Sequence, residues 1–257
     1  PAADISFIPT DAFSFLKNSK VIDYMKIRAG VSKVGNVNVG NTTNGGAYAL
    51  ESTFDSQTGY GYGTGYTPNN TLVSNNLKPE ITTGYEGGVD FRLLNGLIDG
   101  TVTYYNTSST GQAITAGVPV TTGYSYYLLN TGELTNEGLE TALHFTPIRK
   151  GDWKLTVGGN YTYNDNKLVS LSNDLTRIGV SNSTTIYGQV GQIYPVIIGS
   201  DYIRDAEGRV VVDQNTGYPV GTTTGNILGN TIPKNRLGLD FAKTIRIFRL
   251  RACRHFL

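Results

Sequence analysis

The sequence predicts an all-β fold: a fragment of a large antiparallel transmembrane β-barrel with long extracellular loops and short periplasmic turns. Three observations predict it. Apolar and polar residues alternate in segments of about ten residues, the length that a tilted strand needs to cross a bilayer. The connections between these segments alternate between short and long. Tyrosine and glycine are abundant, at 17 and 32 of 257 residues, while only 16% of the residues are charged.

The composition excludes several other classes of protein. With 21 basic and 20 acidic residues, the net charge of +1 offers no attraction for nucleic acid. Aromatic and β-branched residues are too frequent for a disordered chain. The single cysteine, Cys253, excludes a disulfide framework and a cysteine-rich metal site. The chain contains no apolar run long enough for a transmembrane helix. It opens with Pro-Ala-Ala-Asp rather than a signal peptide, so we expect the true N-terminus to lie elsewhere.

Six segments show the period-two alternation that is typical of strands. In the first, Ile27 and Val31 share one face while Lys26 and Arg28 share the other. The same pattern recurs along the chain, so that each segment has one apolar and one polar face. The six segments are 25–34, 82–94, 97–106, 136–147, 153–164 and 235–244.

The connections follow the rule of outer-membrane barrels, in which short turns are periplasmic and long loops extracellular. Asn95-Gly96 predicts a two-residue hairpin turn, and 148–152 predicts a turn of five residues. The other connections, 35–81, 107–135 and 165–234, are long. The alternation predicts that successive strands are antiparallel neighbours.

Aromatic residues lie where a barrel places its girdles, at the two membrane interfaces. Trp153 is beside a short turn, whereas Tyr85, Tyr104, Tyr161 and Tyr163 are near the long connections. The alternative is a soluble all-β domain whose tyrosines cover a half-buried sheet.

The polar faces of the predicted strands are expected to line the lumen, because charge is tolerated there. His144 fits a polar lumen better than a metal site, since it has no ligand partners at a suitable spacing. The acidic residues would need a shared cleft to act as catalytic acids, so lumen lining is the favoured role. The residues expected to face the lumen are Glu86, Asp90, Arg92, Asp99, Glu140, His144 and Asn160.

Tyrosines in the long connections are candidate ligand-binding residues. In the run 59–66, glycines alternate with Tyr60, Tyr62 and Tyr66, and Pro68 follows rather than a helix, which argues against a phosphate-binding loop. The run is either a flexible extracellular loop or an aromatic platform on which sugar rings stack. The candidates are Tyr60, Tyr62, Tyr66, Tyr124, Tyr126 and Tyr127.

No motif in the sequence predicts an enzyme, a cofactor or a metal. Hydrolase, nucleotide-binding and zinc-binding spacings are absent. Asp205 and Asp213 flank the apolar run 210–212, which predicts a small hairpin in the longest connection. Their spacing does not match an EF-hand loop, so calcium binding is only a weak alternative.

Several motifs, in order, resemble the C-terminal barrel of SusC-like TonB-dependent transporters of Bacteroidetes (the RagA/SusC family). Phe7-Ile8-Pro9-Thr10-Asp11-Ala12-Phe13 leads into the first strand, and Asn76-Leu77-Lys78-Pro79-Glu80 leads into the second. Asn130-Thr131-Gly132-Glu133 is followed by Asn136-Glu137-Gly138-Leu139-Glu140, and later comes Asp201-Tyr202-Ile203-Arg204-Asp205. The resemblance runs from about residue 5 to residue 244.

The resemblance implies a large barrel in the outer membrane of a Gram-negative bacterium, plugged by a separate N-terminal domain. The whole chain, 1–257, would then be a part of the barrel domain without the plug. The resemblance also implies import of a bulky nutrient, a glycan or an oligopeptide, together with a SusD-like surface lipoprotein. The TonB–ExbB–ExbD complex would supply energy through the missing N-terminal part. The alternative is a passive or adhesin-type barrel whose loops bind ligands without energy coupling.

The end of the chain departs from this pattern. Phe248, Leu250 and Ala252 alternate with arginines as a new strand would, but continuing the alternation turns Arg254 towards lipid. Arginine in that position costs roughly 2–4 kcal/mol at the middle of a bilayer. We therefore expect the chain to stop inside a strand, with residues 253–257 frame-shifted or truncated.

Overall fold

A computed structural model describes residues 1–36, 54–61, 63–130, 132–171, 175–180, 185–222, 225–245 and 248–256. Two helical turns, α1 (Pro9–Ala12) and α2 (Ser14–Lys17), accompany the strands. The strands are β1 (Ala2–Phe7), β2 (Ile22–Asn36), β3 (Phe54–Tyr60), β4 (Gly63–Pro68), β5 (Thr71–Val73), β6 (Glu80–Leu93), β7 (Ile98–Thr110), β8 (Ala113–Gly117), β9 (Tyr126–Asn130), β10 (Glu133–Lys150), β11 (Trp153–Ser170), β12 (Arg177–Gly179), β13 (Ile186–Gln189), β14 (Val196–Gly199), β15 (Asn226–Asn230), β16 (Asn235–Ile245) and β17 (Phe248–Phe256).

Eight of these strands form one antiparallel sheet in the order β1-β2-β6-β7-β10-β11-β16-β17. Each strand pairs with the next long strand along the chain, as the alternation of short and long connections predicts. All six predicted strands are present, and the strand expected after residue 245 forms as β17. The sequence prediction omitted β1, in which Ala3, Ile5 and Phe7 alternate with polar residues over too few positions to stand out.

The two described short turns differ in detail from the prediction. Between β6 and β7 the turn has four residues, 94–97, because pairing stops at Leu93 opposite Ile98. Leu94, Asn95 and Gly96 have φ angles of 56°, 57° and 74°, so the left-handed conformation extends beyond the predicted Asn-Gly pair. Between β10 and β11 the ladder continues to Lys150 opposite Trp153, which leaves a two-residue turn rather than five residues.

The large sheet has one apolar face and one polar face. The apolar face carries Ile27, Val89, Leu143 and Val157, and the polar face carries the residues between them in each strand. Side chains on the apolar face are widely exposed: Leu143 is 48% and Val157 is 44% accessible. Such exposure across a whole sheet face is typical of a surface that lipid covers.

The buried apolar side chains lie elsewhere. Within the described residues they cluster in the small strands β9, β12 and β14 and at the far end of β11. A soluble all-β domain buries one face of its main sheet, so this distribution favours the membrane barrel. The buried hydrophobic residues are Leu128, Leu129, Leu168, Ile178, Val196 and Ile198.

The long connections contain three further sheets, with strand orders β3-β4, β5-β9-β8 and β12-β13-β14-β15. The glycine-rich run that allowed a flexible loop instead forms part of the β3–β4 hairpin, with Ser56 opposite Tyr66. In the second sheet, β5 pairs with β9 in parallel, so two different connections are joined. Local alternation could not predict these sheets, because each strand is short and several of its partners are distant.

The longest connection contains a compact unit at residues 201–222. Isolated bridges join Arg204 to Val210 and Val212 to Pro219, so the predicted small hairpin becomes two successive tight turns. The Arg209 guanidinium beside Asp205 and the backbone N–H of Thr216 beside Asp213 lower the pKa values of these two carboxyls. Both aspartates therefore act as acceptors that hold the turns closed.

The connection between β1 and β2 lies at the short-turn end of the sheet. The hydroxyl of Thr10 contacts the backbone of Met25 and holds α1 against β2. Phe13 packs edge-on against Phe7 at 6.0 Å and beside Phe15 at 5.7 Å, so aromatic rings extend the apolar face around this end. Among the described residues, neither helical turn nor any other helix has the length and hydropathy to cross a membrane.

β17 pairs with β16 along its whole length. Arg254 is opposite Leu239 and therefore lies on the apolar face, as the alternation predicted. Cys253 is opposite Asp240 on the polar face. An altered reading frame over residues 253–257 stays a prediction, which resequencing of the source DNA would test.

Candidate functional site

The strand registers place all seven residues expected to face the lumen on the polar face. Arg92, Asp99 and His144 are direct neighbours in one row across three strands. Asp90 and Asn160 belong to the adjacent row, through Thr101 and Ala142. Glu140 and Glu86 occupy the next two rows towards the long connections. The candidate site is therefore a continuous polar wall of four rows.

Arg28 is the centre of one cluster in this wall. It extends from β2 across Gly88 in β6 and donates to the Thr103 hydroxyl in β7, at 2.5 Å. Its guanidinium is also 3.8 Å from the Asp90 carboxylate, which accepts a hydrogen bond from Thr101. A Cβ atom at Gly88 would lie 2.8 Å from the Arg28 Nε. The glycine therefore leaves the space through which Arg28 reaches the second strand.

His144 makes a second long contact over a glycine. Its Nδ1 is 3.4 Å from Asp99 in the neighbouring strand, and its Nε2 is 3.8 Å from Asp240 two strands away in the other direction. Gly158 lies between His144 and Asp240, and an added Cβ would collide with both. The imidazole is therefore held between two carboxylates on strands that are not neighbours.

Tyr105 makes the third contact of this kind. Its hydroxyl crosses Gly138 and donates to the Asn164 side chain at 2.8 Å, so it links β7 to β11. The three contacts over Gly88, Gly138 and Gly158 link β2 to β7, β7 to β11 and β10 to β16.

Two grooves show which predicted residues the structure brings together. Asp90, Arg92, Asp99 and His144 line one groove of about 270 Å³. Glu86 lines a separate groove of about 250 Å³ with Tyr105. Glu140 and Asn160 share the wall but line neither of these grooves. In the described part of the chain no group of three or more histidine, cysteine or carboxylate ligands is arranged to hold a metal ion.

A third, more basic groove of about 590 Å³ lies at the short-turn end of the polar face. Arg92, Arg149 and Lys154 line it together with Asp23, which accepts a hydrogen bond from the Gly96 N–H at 2.8 Å. The sequence pattern does not predict this groove, because its residues lie at or near three separate turns.

Among the candidate tyrosines that the structure describes, Tyr66 and Tyr126 belong to different sheets. Tyr66 is 68% exposed on the β3–β4 hairpin. Tyr126 and Tyr127 are consecutive residues of β9, so they point to opposite faces of the β5-β9-β8 sheet. Tyr124 is half-buried before that strand. Tyr62 and the side chain of Tyr60 lie outside the described residues.

Asn130 connects two of the long segments. Its side chain accepts from the Lys78 N–H at 2.7 Å and donates to the Lys78 carbonyl at 2.8 Å and to the Gly111 carbonyl at 2.5 Å. The amide therefore imitates a strand partner and holds the segment before β6 against the segment after β7. Both Lys78 and Asn130 belong to the motifs that carry the family resemblance, which gave no indication of this contact.

Comparison with known proteins identifies the family to which the eight-stranded sheet belongs. The family model described as "TonB dependent receptor-like, beta-barrel" matches residues 12–244. The chain belongs to this TonB-dependent receptor family. TonB-dependent receptor SusC of Bacteroides thetaiotaomicron is 30% identical over 261 residues, which cover 91% of this chain and 26% of SusC. TonB-dependent receptor P26 of Formosa agariphila is 25% identical over 255 residues, which cover 88% of this chain and 24% of P26.

The resemblance to SusC-like transporters is therefore confirmed. The chain spans about a quarter of the length of these curated relatives. The structure of the RagAB peptide transporter aligns over 99% of this chain and 28% of that chain, with a TM-score of 0.78 and 16% identity. At this identity the alignment shows the fold, which is a segment of a large antiparallel membrane barrel. Proteins of this SusC and RagA type are outer-membrane proteins.

Gly138→Ala should destabilise the barrel by about 1–3 kcal/mol, because overpacking forces neighbouring groups apart. The added Cβ would lie 2.5 Å from the Tyr163 backbone carbonyl and 2.5 Å from the Tyr105 hydroxyl. The measurement is the temperature at which the full-length protein loses its folded mobility in gel electrophoresis. Gly159→Ala is the matched control, since its nearest atoms are 3.5 Å away. Equal melting temperatures for both variants would contradict the proposed close packing at Gly138.

Asn130→Asp should destabilise the contact between the segment before β6 and the segment after β7. The carboxylate keeps the acceptor for the Lys78 N–H but loses both donors, and it then faces two carbonyl oxygens. An unsatisfied acceptor of this kind costs about 1–3 kcal/mol. Hydrogen–deuterium exchange in residues 69–79 should become faster. Asn75→Asp, at an exposed position in the same segment, controls for the added charge and should leave exchange unchanged. Equal exchange in the two variants would remove this role from Asn130.

Proposed function

We propose that this chain forms part of the barrel wall of a TonB-dependent importer in the outer membrane of a Gram-negative bacterium. One observation carries the proposal: the eight-stranded sheet has an exposed apolar face on one side and a polar face on the other. The polar face would line the lumen and the apolar face would contact lipid. The match to the receptor family over 12–244 supports this role.

The substrate is a bulky nutrient, either a glycan or an oligopeptide. A peptide is favoured by the fold shared with a structure described as a peptide transporter, whereas a glycan is favoured by the exposed tyrosines of the long connections. The remaining barrel strands and a lumen plug would come from other parts of a longer protein. Its partners would be a SusD-like surface lipoprotein and the TonB–ExbB–ExbD complex, with energy coupling through an N-terminal segment.

The second candidate function is a passive or adhesin-type barrel. Its long connections would bind ligands, and the lumen would not depend on an energy source. The exposed Tyr66 and the compact unit at 201–222 would serve either function. Energy dependence is therefore the property that separates the two.

Uptake should require TonB. In cells that produce the full-length transporter, a fluorescently labelled glycan or oligopeptide should accumulate, and deletion of the tonB gene should abolish accumulation. Binding of the same probe to the cell surface should survive the deletion, which serves as the internal control. Accumulation that continues without TonB would favour the passive barrel.

Single-cysteine labelling should distinguish the two faces. Cys253 is first replaced by serine, and cysteines are then placed at Val89, Leu143 or Val157 on the apolar face. A lipid-dissolved maleimide should label these three, whereas a charged maleimide in water should label a cysteine at Glu140 on the polar face. Leu143 and Glu140 are in the same strand, β10, so accessibility is compared on one element. The reverse pattern would show that the assignment of faces is wrong.

The loop tyrosines should contribute to capture of the substrate or of the lipoprotein partner. Replacing all six candidates, Tyr60, Tyr62, Tyr66, Tyr124, Tyr126 and Tyr127, by serine should weaken binding, since each aromatic contact contributes roughly 0.5–1.5 kcal/mol. The control replaces Tyr85 and Tyr104, which are also exposed but lie on the apolar face of β6 and β7 rather than in the long connections. Unchanged uptake and unchanged lipoprotein binding in the six-fold variant would exclude this role.

A further inference from the structure

The short-turn end of β10, β11 and β16 carries an aromatic and basic patch on the apolar face. Trp153 is 51% exposed, and the Lys243 Nζ is 5.0 Å from the centroid of its ring. The register places Lys150 directly opposite Trp153 and Lys243 opposite Leu155. We call Lys150, Trp153 and Lys243 the rim patch.

The charge around the rim patch is strongly one-sided. The strand ends 145–150, 153–157 and 241–245 contain four basic residues and no acid, and Asp152 lies in the turn between β10 and β11. In the described part of the chain, neither lysine of the rim patch forms an ion pair with a carboxylate. Their ammonium groups are therefore available to an external anion.

The side chains next to the rim patch on the same face are apolar. Ile148, Val157 and Phe241 are all exposed on the apolar face. Ile148 lies near the turn, and Val157 and Phe241 lie further from it. Lysine stems can lie along such a surface while the ammonium groups reach the membrane interface. Tryptophan prefers this depth, because the ring is apolar and its N–H needs a polar partner.

At the opposite end of the same strands, acidic and basic residues occur together. There Glu137 is on the apolar face, directly across from Asp165 in β11. Glu137 accepts hydrogen bonds from Tyr104 and Asn106, and Asp165 is 3.1 Å from both Lys167 and Lys234, so the charged groups at this end already have partners. An anionic ligand is therefore attracted to the short-turn end of the apolar face.

We propose that the rim patch binds the headgroup of an anionic phospholipid in the periplasmic leaflet. The phosphate accepts hydrogen bonds from Lys150, Lys243 and the indole N–H of Trp153, and the acyl chains lie along Ile148 and Phe241. This inference rests on the proposed function, since it requires the apolar face in a membrane with the short turns on the periplasmic side. It adds a lipid site that fixes the depth of β10, β11 and β16.

The test uses the full-length protein in nanodiscs that contain phosphatidylethanolamine with either photoactivatable phosphatidylglycerol or photoactivatable phosphatidylcholine. Cross-linked peptides are quantified by mass spectrometry. Phosphatidylglycerol should label the peptides that contain 148–155 and 241–245 more strongly than phosphatidylcholine does. Lys150→Gln and Lys243→Gln should each reduce this labelling about fivefold, as expected for one basic residue at an anionic surface.

Lys154→Gln is the matched control, because Lys154 is in the same turn region but lies on the polar face opposite Arg149. It should leave labelling unchanged. Equal loss in Lys154→Gln and Lys150→Gln would overturn the site, as would equal labelling by the two lipids in the unaltered protein. The second comparison needs no variant, so the test holds even if a variant assembles poorly. If only the lipid site is wrong, uptake still depends on TonB. If the proposed function is wrong, uptake continues without TonB.

Discussion

Backbone hydrogen bonding between neighbouring strands is the constraint on which the rest of this structure depends. A strand inside a bilayer cannot satisfy its N–H and C=O groups with water, so every such group must pair with another strand. The six inner strands of the sheet meet this requirement through antiparallel ladders on both sides, of which β10 with β11 is the longest, and β1 and β17 each pair along one edge. Once the ladders are fixed, side chains must alternate between two surroundings. The apolar face suits lipid, and the polar face suits an aqueous lumen.

The polar face is more than a set of exposed charges, because three side chains link strands that are not neighbours. Arg28, Tyr105 and His144 each pass over a glycine and reach the second strand away. Contacts of this kind stabilise the sheet in the direction across the strands, where the described apolar face offers little buried packing. The glycines that permit them have extended backbone conformations, so their role is to leave space rather than to allow an unusual turn.

The two ends of the sheet differ in structure. At the short-turn end the strands close tightly, and basic residues gather both in the polar groove around Arg149 and Lys154 and in the rim patch. At the other end the connections fold into small sheets with their own buried residues, such as Val196 and Ile198. The described parts of the long connections therefore present folded surfaces, and Asn130 holds two of them together. Membership of a receptor barrel family fits this division between a uniform wall and separately folded connections.

The sequence by itself determined the strands of the wall and the face of each residue in them. An alternation such as Ile27, Ala29 and Val31 against Arg28 has one consistent meaning once a strand is assumed, because the side-chain period of a strand is two. The six predicted segments, the sides of Glu86 and His144, and the resemblance to SusC-like transporters all followed from local patterns and ordered motifs. Only the tertiary structure decided which polar residues meet. The contact of His144 with Asp240, the pairing of β5 with β9, and the joining of Lys78 to Asn130 depend on strand register and on residues far apart in the chain. A period of two carries no information about such distances, so these contacts could not be predicted from the sequence.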